Sequence, residues 1–194
     1  MRILLFISFI LIFNMVSGQD FSNELACLSD EEYRLYKLVN EYRKEKTLPE
    51  IPLSASLCYV AAAHVWDLQT NQPEGGNCNM HSWSDQGPWS ACCYTDDHSK
   101  AECLWAKPAE LTEYDGFGYE VAYYSSLSEI EHSDMALAAL DGWKGSPGHH
   151  HMIINRYGWK RMKWRAMGVG IYGNFVVVWF GEKNDLAGKP ELCP

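Results

Sequence analysis

Seven cysteines constrain the fold of this 194-residue chain more than any other feature of its sequence. They are Cys27, Cys58, Cys78, Cys92, Cys93, Cys103 and Cys193. Four of them lie between Cys78 and Cys103, in a segment rich in turn residues and without sustained hydrophobic periodicity. Disulfides stabilise such segments by restricting the unfolded chain. We therefore expect a cross-linked loop region in the middle of the chain.

The four central cysteines predict two disulfides. Cys78 and Cys103 are each expected to bond one of the adjacent Cys92 and Cys93, in either combination. Zinc binding is the alternative use of clustered cysteines, but the spacing lacks paired CxxC elements. An oxidising compartment also favours disulfides over zinc.

The remaining three cysteines predict one long-range disulfide and one free thiol. A bond between Cys27 and Cys193 would join the two ends of the folded chain. Since the count is odd, at least one cysteine is unpaired or bonded to another molecule. We expect this to be Cys58, buried within a helix.

The N-terminus has the pattern of a secretory signal peptide. Arg2 precedes an apolar run over residues 3–13, and small residues precede the expected cleavage site after Gly18. That run is too short to span a bilayer, and no later segment reaches about 18 consecutive apolar residues. We therefore predict a signal peptide over residues 1–18 and one secreted domain over residues 19–194, with no membrane span.

The charge of the chain excludes one broad class of partner. The formal net charge is −9, and removal of Arg2 with the signal peptide makes it −10. A chain this acidic repels phosphate backbones, so general nucleic-acid binding is not expected.

Helical signals dominate the first half of the secreted region. A capping box of Ser29 and Glu32, followed by apolar residues at helical spacing, predicts a helix from Asp30 to Lys46. The alanine-rich run ASLCYVAAAHVWDLQ predicts a buried second helix, capped by Ser54 or Ser56.

The second half of the chain contains signals for both helices and strands. A capping box of Ser128 and Glu131 predicts a helix that runs through SDMALAALDGW to the GSPG turn. The run AMGVGIYGNFVVVWFG predicts a β-hairpin. Helices followed by late strands are typical of an α+β fold, and we predict a three-layer α-β-α sandwich with a small antiparallel sheet.

Two motifs near the end carry a family resemblance. Trp143 is followed first by Lys144 and Gly145 and then by the runs SPGH and HHMII. The later hairpin has the sequence VGIYGNFVVVWFG. Over about residues 33–181 the chain resembles the CAP superfamily of cysteine-rich secretory, antigen 5 and pathogenesis-related group 1 proteins, in its single-domain form. The resemblance places His149 on the cavity histidine of the family. His150 and His151 take positions that are usually not histidine, and we expect them to be packing or surface residues.

The resemblance implies two further cavity residues. His81 in NMHS matches the histidine of a loop after the second helix, and Glu120 in GYEVA matches the glutamate of a GEN-like motif. Several family members have a second acid three positions after the tryptophan, where this chain has Ser146. Asp141 lies one helical turn earlier, but nothing in the sequence indicates that it substitutes for that acid.

Such a cavity implies binding of Zn²⁺ or another divalent metal. His81 and His149 would supply neutral nitrogen ligands. For Glu120 we favour the role of orienting one histidine by accepting its N–H. The other histidines that we considered, His64, His98 and His132, are interpreted as one core residue and two surface residues.

Three functions remain open. The resemblance favours a non-enzymatic extracellular protein that binds a lipid or sterol, a divalent metal or a protein partner, with Trp83, Trp89 and Trp105 as candidates for an apolar groove. The first alternative is a metal-dependent hydrolase of peptidase type, in which Glu120 would activate water. No catalytic residue is otherwise indicated, and the missing acid at Ser146 favours binding over catalysis. The second alternative is a signalling or defence ligand that acts through its surface loops.

Overall fold

The computed structural model describes residues 27–126 and 134–194. In chain order the helices and strands of these residues are α1 Asp30–Glu45, α2 Ala55–Asn71, α3 Glu102–Trp105, α4 Lys107–Leu111, β1 Gly118–Tyr124, α5 Met135–Gly145, α6 Pro147–Ile153, β2 Ala166–Tyr172 and β3 Phe175–Gly181, with a 3₁₀ turn at Tyr157–Trp159. The predicted signal peptide lies outside the described residues.

The described strands form an antiparallel sheet in the order β1-β3-β2. One face of the sheet packs against α1, α5 and α6. The hydrophobic core between them includes Val121, Val178 and Phe180. The other face packs under α2 and the cysteine-rich segment, and its core includes Val177 and Trp179. Because side chains alternate between the faces of a strand, β3 contributes to both cores. This is the predicted α+β fold with a three-layer α-β-α arrangement.

Side-chain caps fix where the long helices begin. Ser29 and Glu32 form the predicted capping box at α1, and Ser54 accepts the Leu57 N–H at the start of α2. Asp134 caps α5 by accepting from Leu137. Each cap satisfies an N–H that lacks a partner within its helix. The capping box predicted at Ser128 and Glu131 lies outside the described residues.

Four short elements are not among the sequence-based predictions. The cysteine-rich segment contains α3 and α4, which are too short to produce a clear helical period. GYEVAYY forms β1, whose mixed burial hides the alternation typical of a strand. The SPGHHH run is the start of α6, with Pro147 at a position where helices tolerate proline, so His149 lies inside a new helix.

All seven cysteines are as expected from the sequence. Disulfides join Cys27 to Cys193, Cys78 to Cys93, and Cys92 to Cys103. The sequence left the choice between the two central pairings open, and the structure decides it.

The remaining cysteine is buried and unpaired. Cys58 lies in α2 with a free thiol, and burial raises its pKa to about 12. A thiol with so high a pKa has almost no reactive thiolate at neutral pH, which agrees with the inert cysteine expected from the sequence.

Glycines on β2 allow α2 to approach the sheet closely. A Cβ atom at Gly168 would lie 2.1 Å from the main-chain carbon of Leu57, and one at Gly170 would lie 2.6 Å from that of Ala61. Both neighbours are helix backbone, which cannot move aside as a flexible side chain can. The distance between α2 and the sheet therefore depends on these two positions.

We expect Gly168→Ala to lower the free energy of unfolding by about 3 kcal/mol, the upper range for overpacking a core. The added methyl group would push α2 away from β2. Gly158→Ala is the matched control, since a Cβ there meets nothing within 4 Å. Urea unfolding of both variants measures the difference, and equal stabilities would contradict a close helix-sheet contact.

Candidate functional site

Glu120 is a carboxylate in the protein interior. It lies on β1 with its side chain on the α2 side of the sheet, and that side chain has no exposed surface. Its two oxygens contact two histidines, one from α2 and one from the following loop. Since a buried charge requires compensation, these histidines explain how the site accommodates the carboxylate.

His64 forms the deeper of the two contacts. Its Nδ1 lies 2.5 Å from Glu120 Oε2, and its Nε2 lies 2.9 Å from the carbonyl oxygen of Ser82. An ionised carboxylate and a carbonyl both only accept hydrogen bonds, so both ring nitrogens donate and His64 is a cation. The ring also stacks on Trp83, with centroids 4.3 Å apart. His64 and Glu120 thus form a buried ion pair.

The electrostatics agree with this assignment. Burial alone would lower the pKa of His64, but the charge and hydrogen bond of Glu120 raise it above its usual value. Burial alone would raise the pKa of Glu120, yet His64 and then His81 lower it to about 2. Each charge therefore stabilises the other in the protein interior.

His81 lies between Glu120 and the protein surface. Its loop is held by the side chain of Asn79, which accepts the His81 main-chain N–H at 3.1 Å. The Nδ1 atom lies 2.7 Å from Glu120 Oε1, so the carboxylate accepts a hydrogen bond there. Contact with the Tyr94 ring, with centroids 5.2 Å apart, holds the imidazole on a second side. This arrangement leaves the Nε2 atom of His81 for a ligand.

His149 approaches the same place from α6. Its ring centroid lies 6.2 Å from that of His81. Partial burial, assisted by the charge of His81, lowers the pKa of His149 to about 4. The His149 ring is therefore neutral at physiological pH and carries a free nitrogen lone pair.

The two histidines border a cavity of about 440 Å³. Other polar groups come from Tyr94, His98 and Glu120, and the apolar wall consists of Leu104, Trp105, Met152 and Trp159. A volume in this range suits a small ligand or part of a larger one. His98 is exposed, as the sequence suggested, but its position at the cavity and its 2.9 Å hydrogen bond to Tyr94 were not foreseen.

The structure corrects the predicted tryptophan groove. Trp83 and Trp89 are 2% and 7% exposed and belong to the core under α2, so they cannot line a surface groove. Of the three predicted residues, Trp105 alone borders the cavity. Trp159, which the sequence analysis overlooked, is the second tryptophan of that wall.

The two additional histidines of the triplet point elsewhere. His150 Nε2 lies 2.8 Å from the hydroxyl of Tyr42, and the His151 ring packs on Tyr157 at 4.2 Å. Neither borders the cavity. Their packing roles agree with the expectation from the sequence. His132 lies outside the described residues.

His81 and His149 are the candidate metal ligands at this cavity. A tetrahedral zinc ion with zinc–nitrogen bonds of about 2.0 Å would place the centroids of two ligating imidazoles roughly 5 Å apart. The centroids of His81 and His149 lie 6.2 Å apart, so one ring would have to move by roughly 1 Å for both to ligate such an ion. No group of three or more His, Cys, Asp or Glu side chains in residues 27–126 and 134–194 is arranged to hold a metal. For a metal bound here, His81 and His149 would supply two ligands of an open site, with water or another ligand in the remaining positions.

Comparison with known proteins gives the family of the chain. The sequence profile of the cysteine-rich secretory protein family, called CAP, matches residues 36–174. The chain belongs to the CAP family. Its match spans α2, the loop that follows it, β1 and α6, which carry the buried carboxylate and the three histidines around it. No curated protein sequence matches the chain.

Solved structures share the CAP fold at low sequence identity. An extracellular protein of Bacillus anthracis that contains an SCP domain aligns with a TM-score of 0.53 at 20% identity, covering 79% of this chain and 40% of that protein. An outer surface protein of Borrelia burgdorferi aligns with a TM-score of 0.52 at 15% identity, covering 79% of this chain and 93% of that protein. This chain thus spans less than half of the Bacillus protein.

Among the described residues, no helix is long and apolar enough to cross a membrane.

We expect His64→Gln to lower the free energy of unfolding by about 3–5 kcal/mol, because it leaves the Glu120 charge without its buried cation. Urea unfolding at pH 5.5 measures this loss. His98→Gln, at an exposed position, is the control and should change stability little. A His64→Gln protein as stable as the wild type would contradict the ion pair.

The ion pair also predicts a dependence of stability on pH. The pKa of His64 is raised on folding, so its contribution is complete below about pH 6.5 and is lost as pH rises through the folded value. The pKa of Glu120 is lowered, so its contribution is complete above about pH 4.3 and is lost as pH falls towards 2. Unfolding free energies should therefore be highest between these limits, and the decline at high pH should be smaller in His64→Gln.

The environment of His149 predicts an unusual titration. We expect the NMR chemical shifts of its ring to change with a midpoint near pH 4, because burial disfavours the charged form. An exposed histidine titrates near pH 6.5 under the same conditions. A midpoint for His149 near 6.5 would mean that the cavity is well hydrated.

Proposed function

We propose that this CAP protein is a non-enzymatic extracellular binding protein whose ligand occupies the cavity between His81 and His149. The observation that carries the proposal is that both oxygens of Glu120 are engaged by histidines. With its side chain fully buried, the carboxylate orients His81 and is not free to bind the ligand.

The cavity combines two kinds of binding surface. Its polar end has the ring of His149, neutral at physiological pH, and the Nε2 atom of His81, which the contact to Glu120 leaves free. Its apolar wall includes Trp105 and Trp159. A ligand matches both ends if it places a hydrogen-bond donor or a bound divalent cation at the histidines and an apolar group on the tryptophans.

The same geometry argues against the hydrolase alternative. A general base needs an oxygen within hydrogen-bond reach of the attacking water. Glu120 offers none, since both of its oxygens accept from imidazoles and its side chain has no exposed surface for water to reach. Ser146, at the position of the missing acid, adds no carboxylate. A metal held by His81 and His149 would polarise the bound ligand, and two protein ligands would leave its remaining positions to that ligand or to water.

An extracellular location is part of the proposal. The predicted N-terminal signal sequence and the three disulfides support it, since disulfides persist in oxidising compartments. The related structures include a protein described as extracellular and one described as an outer surface protein.

The proposal is tested first with Zn²⁺ as the probe. Calorimetry on the secreted chain should detect binding, and we expect His81→Ala or His149→Ala to weaken it by about 10- to 100-fold, because each removes a nitrogen ligand. His151→Ala is the matched control on the same helix, since its ring packs on Tyr157 outside the cavity.

Three outcomes distinguish the candidate functions. Zinc binding that depends on both histidines, without turnover of a casein substrate, supports the binding protein. Casein turnover lost in His149→Ala would replace it with the hydrolase. No zinc binding by the wild type would remove the metal, and mass spectrometry of an organic extract would then test for a lipid in the cavity.

A further inference from the structure

The outer edge of β1 carries main-chain groups that face the cavity. In the order β1-β3-β2, β1 pairs with β3 on one side only. Alternate residues of such an edge strand direct both the N–H and the C=O away from the partner strand. These groups must find partners elsewhere if the edge is covered.

Two hydrogen bonds fix which residues of β1 face outward. The Ser125 N–H donates to Asn174 O at 2.9 Å, continuing the ladder towards β3. The indole N–H of Trp143 donates to Ala122 O at 2.9 Å from the α5 side, so Ala122 faces the outer edge. Glu120 lies two residues before Ala122 and therefore directs its N–H and C=O outward as well.

The outward N–H and C=O groups of Glu120 lack hydrogen-bond partners among the described residues. Within residues 27–126 and 134–194, no bond to its outward N–H or C=O is formed. The residue is 3% exposed although its side chain has no exposed surface, so the main chain is the part that reaches the cavity. Polar groups so nearly buried are normally paired. A donor and an acceptor therefore point together into the cavity.

We propose that the cavity binds a short extended peptide, one residue of which pairs with the main chain of Glu120 as an antiparallel β-bridge. A peptide residue presents one N–H and one C=O on the same side, at the spacing that a strand edge requires. The inference rests on the proposed function, because the peptide occupies the cavity assigned there to the ligand.

The cavity also selects the side chains of the peptide. Leu104, Trp105 and Trp159 provide an apolar wall, which favours an aromatic or large aliphatic residue next to the bridge. The net charge of the chain, −9, repels acidic peptides and favours neutral or basic ones. The expected ligand is thus a neutral or basic extended peptide with one large apolar side chain.

A peptide library provides the probe. Random seven-residue peptides displayed on phage are selected against the secreted chain, and an enriched peptide is synthesised for calorimetry. Each amide nitrogen is then methylated in turn, which removes one N–H without changing the side chains. We expect about tenfold weaker binding when the residue paired with Glu120 is methylated, and changes within about threefold at its two neighbours, whose N–H groups face away.

Protein variants locate the peptide. Trp105→Ala should weaken binding by about tenfold, while Tyr172→Ala, at a partly exposed aromatic residue of β2 outside the cavity, should not. In the wild type, peptide binding should also shift the Glu120 amide resonance and slow its hydrogen exchange, a readout that does not depend on how the variants fold.

Each contrary result has a defined meaning. Failure to enrich any peptide, equal tolerance of methylation at every residue, or an unchanged Glu120 amide would overturn the peptide inference. If zinc still binds through His81 and His149 in that case, the proposed cavity stands and only its ligand class is wrong. Peptide binding without zinc binding would support the bridge and remove the metal from the proposed function.

Discussion

The buried ion pair between His64 and Glu120 is the interaction on which the site depends. It joins the middle of α2 to β1 and places a carboxylate where hydrophobic residues would otherwise pack. With one oxygen bound to His64, the other is directed at His81. The tautomer and orientation of the outermost histidine are therefore set by a contact in the core.

Two further constraints bring the site together. Glycines at positions 168 and 170 let α2 lie close to β2, which sets the depth of His64 relative to the sheet. The disulfides from Cys78 to Cys93 and from Cys92 to Cys103 hold a segment that has little regular structure. That segment carries His81 and ends near the cavity wall at Trp105.

The sequence predicted the fold more completely than it predicted the candidate site. The capping box of Ser29 and Glu32, helical periodicity and the Gly-containing hairpin turn are local signals, and they predicted α1, α2 and the β2–β3 hairpin. His64 was predicted to be a core histidine, which is correct, but its bond to Glu120 is invisible in a sequence because 56 positions separate the two residues. Only the family resemblance placed His81, Glu120 and His149 together. Trp159 carries no local signal of its position, since its role arises from how α6 and the following turn pack.

The burial of Cys58 has a consequence for how the disulfides persist. Exchange requires a thiolate to attack a disulfide sulfur, so its rate depends on the deprotonated fraction of the free thiol and on access. With a pKa of about 12 and a place inside α2, Cys58 satisfies neither requirement once the protein is folded. The unpaired cysteine can scramble the pairings only before α2 docks on the sheet. After that step, the three disulfides are kinetically isolated from the one thiol that could rearrange them.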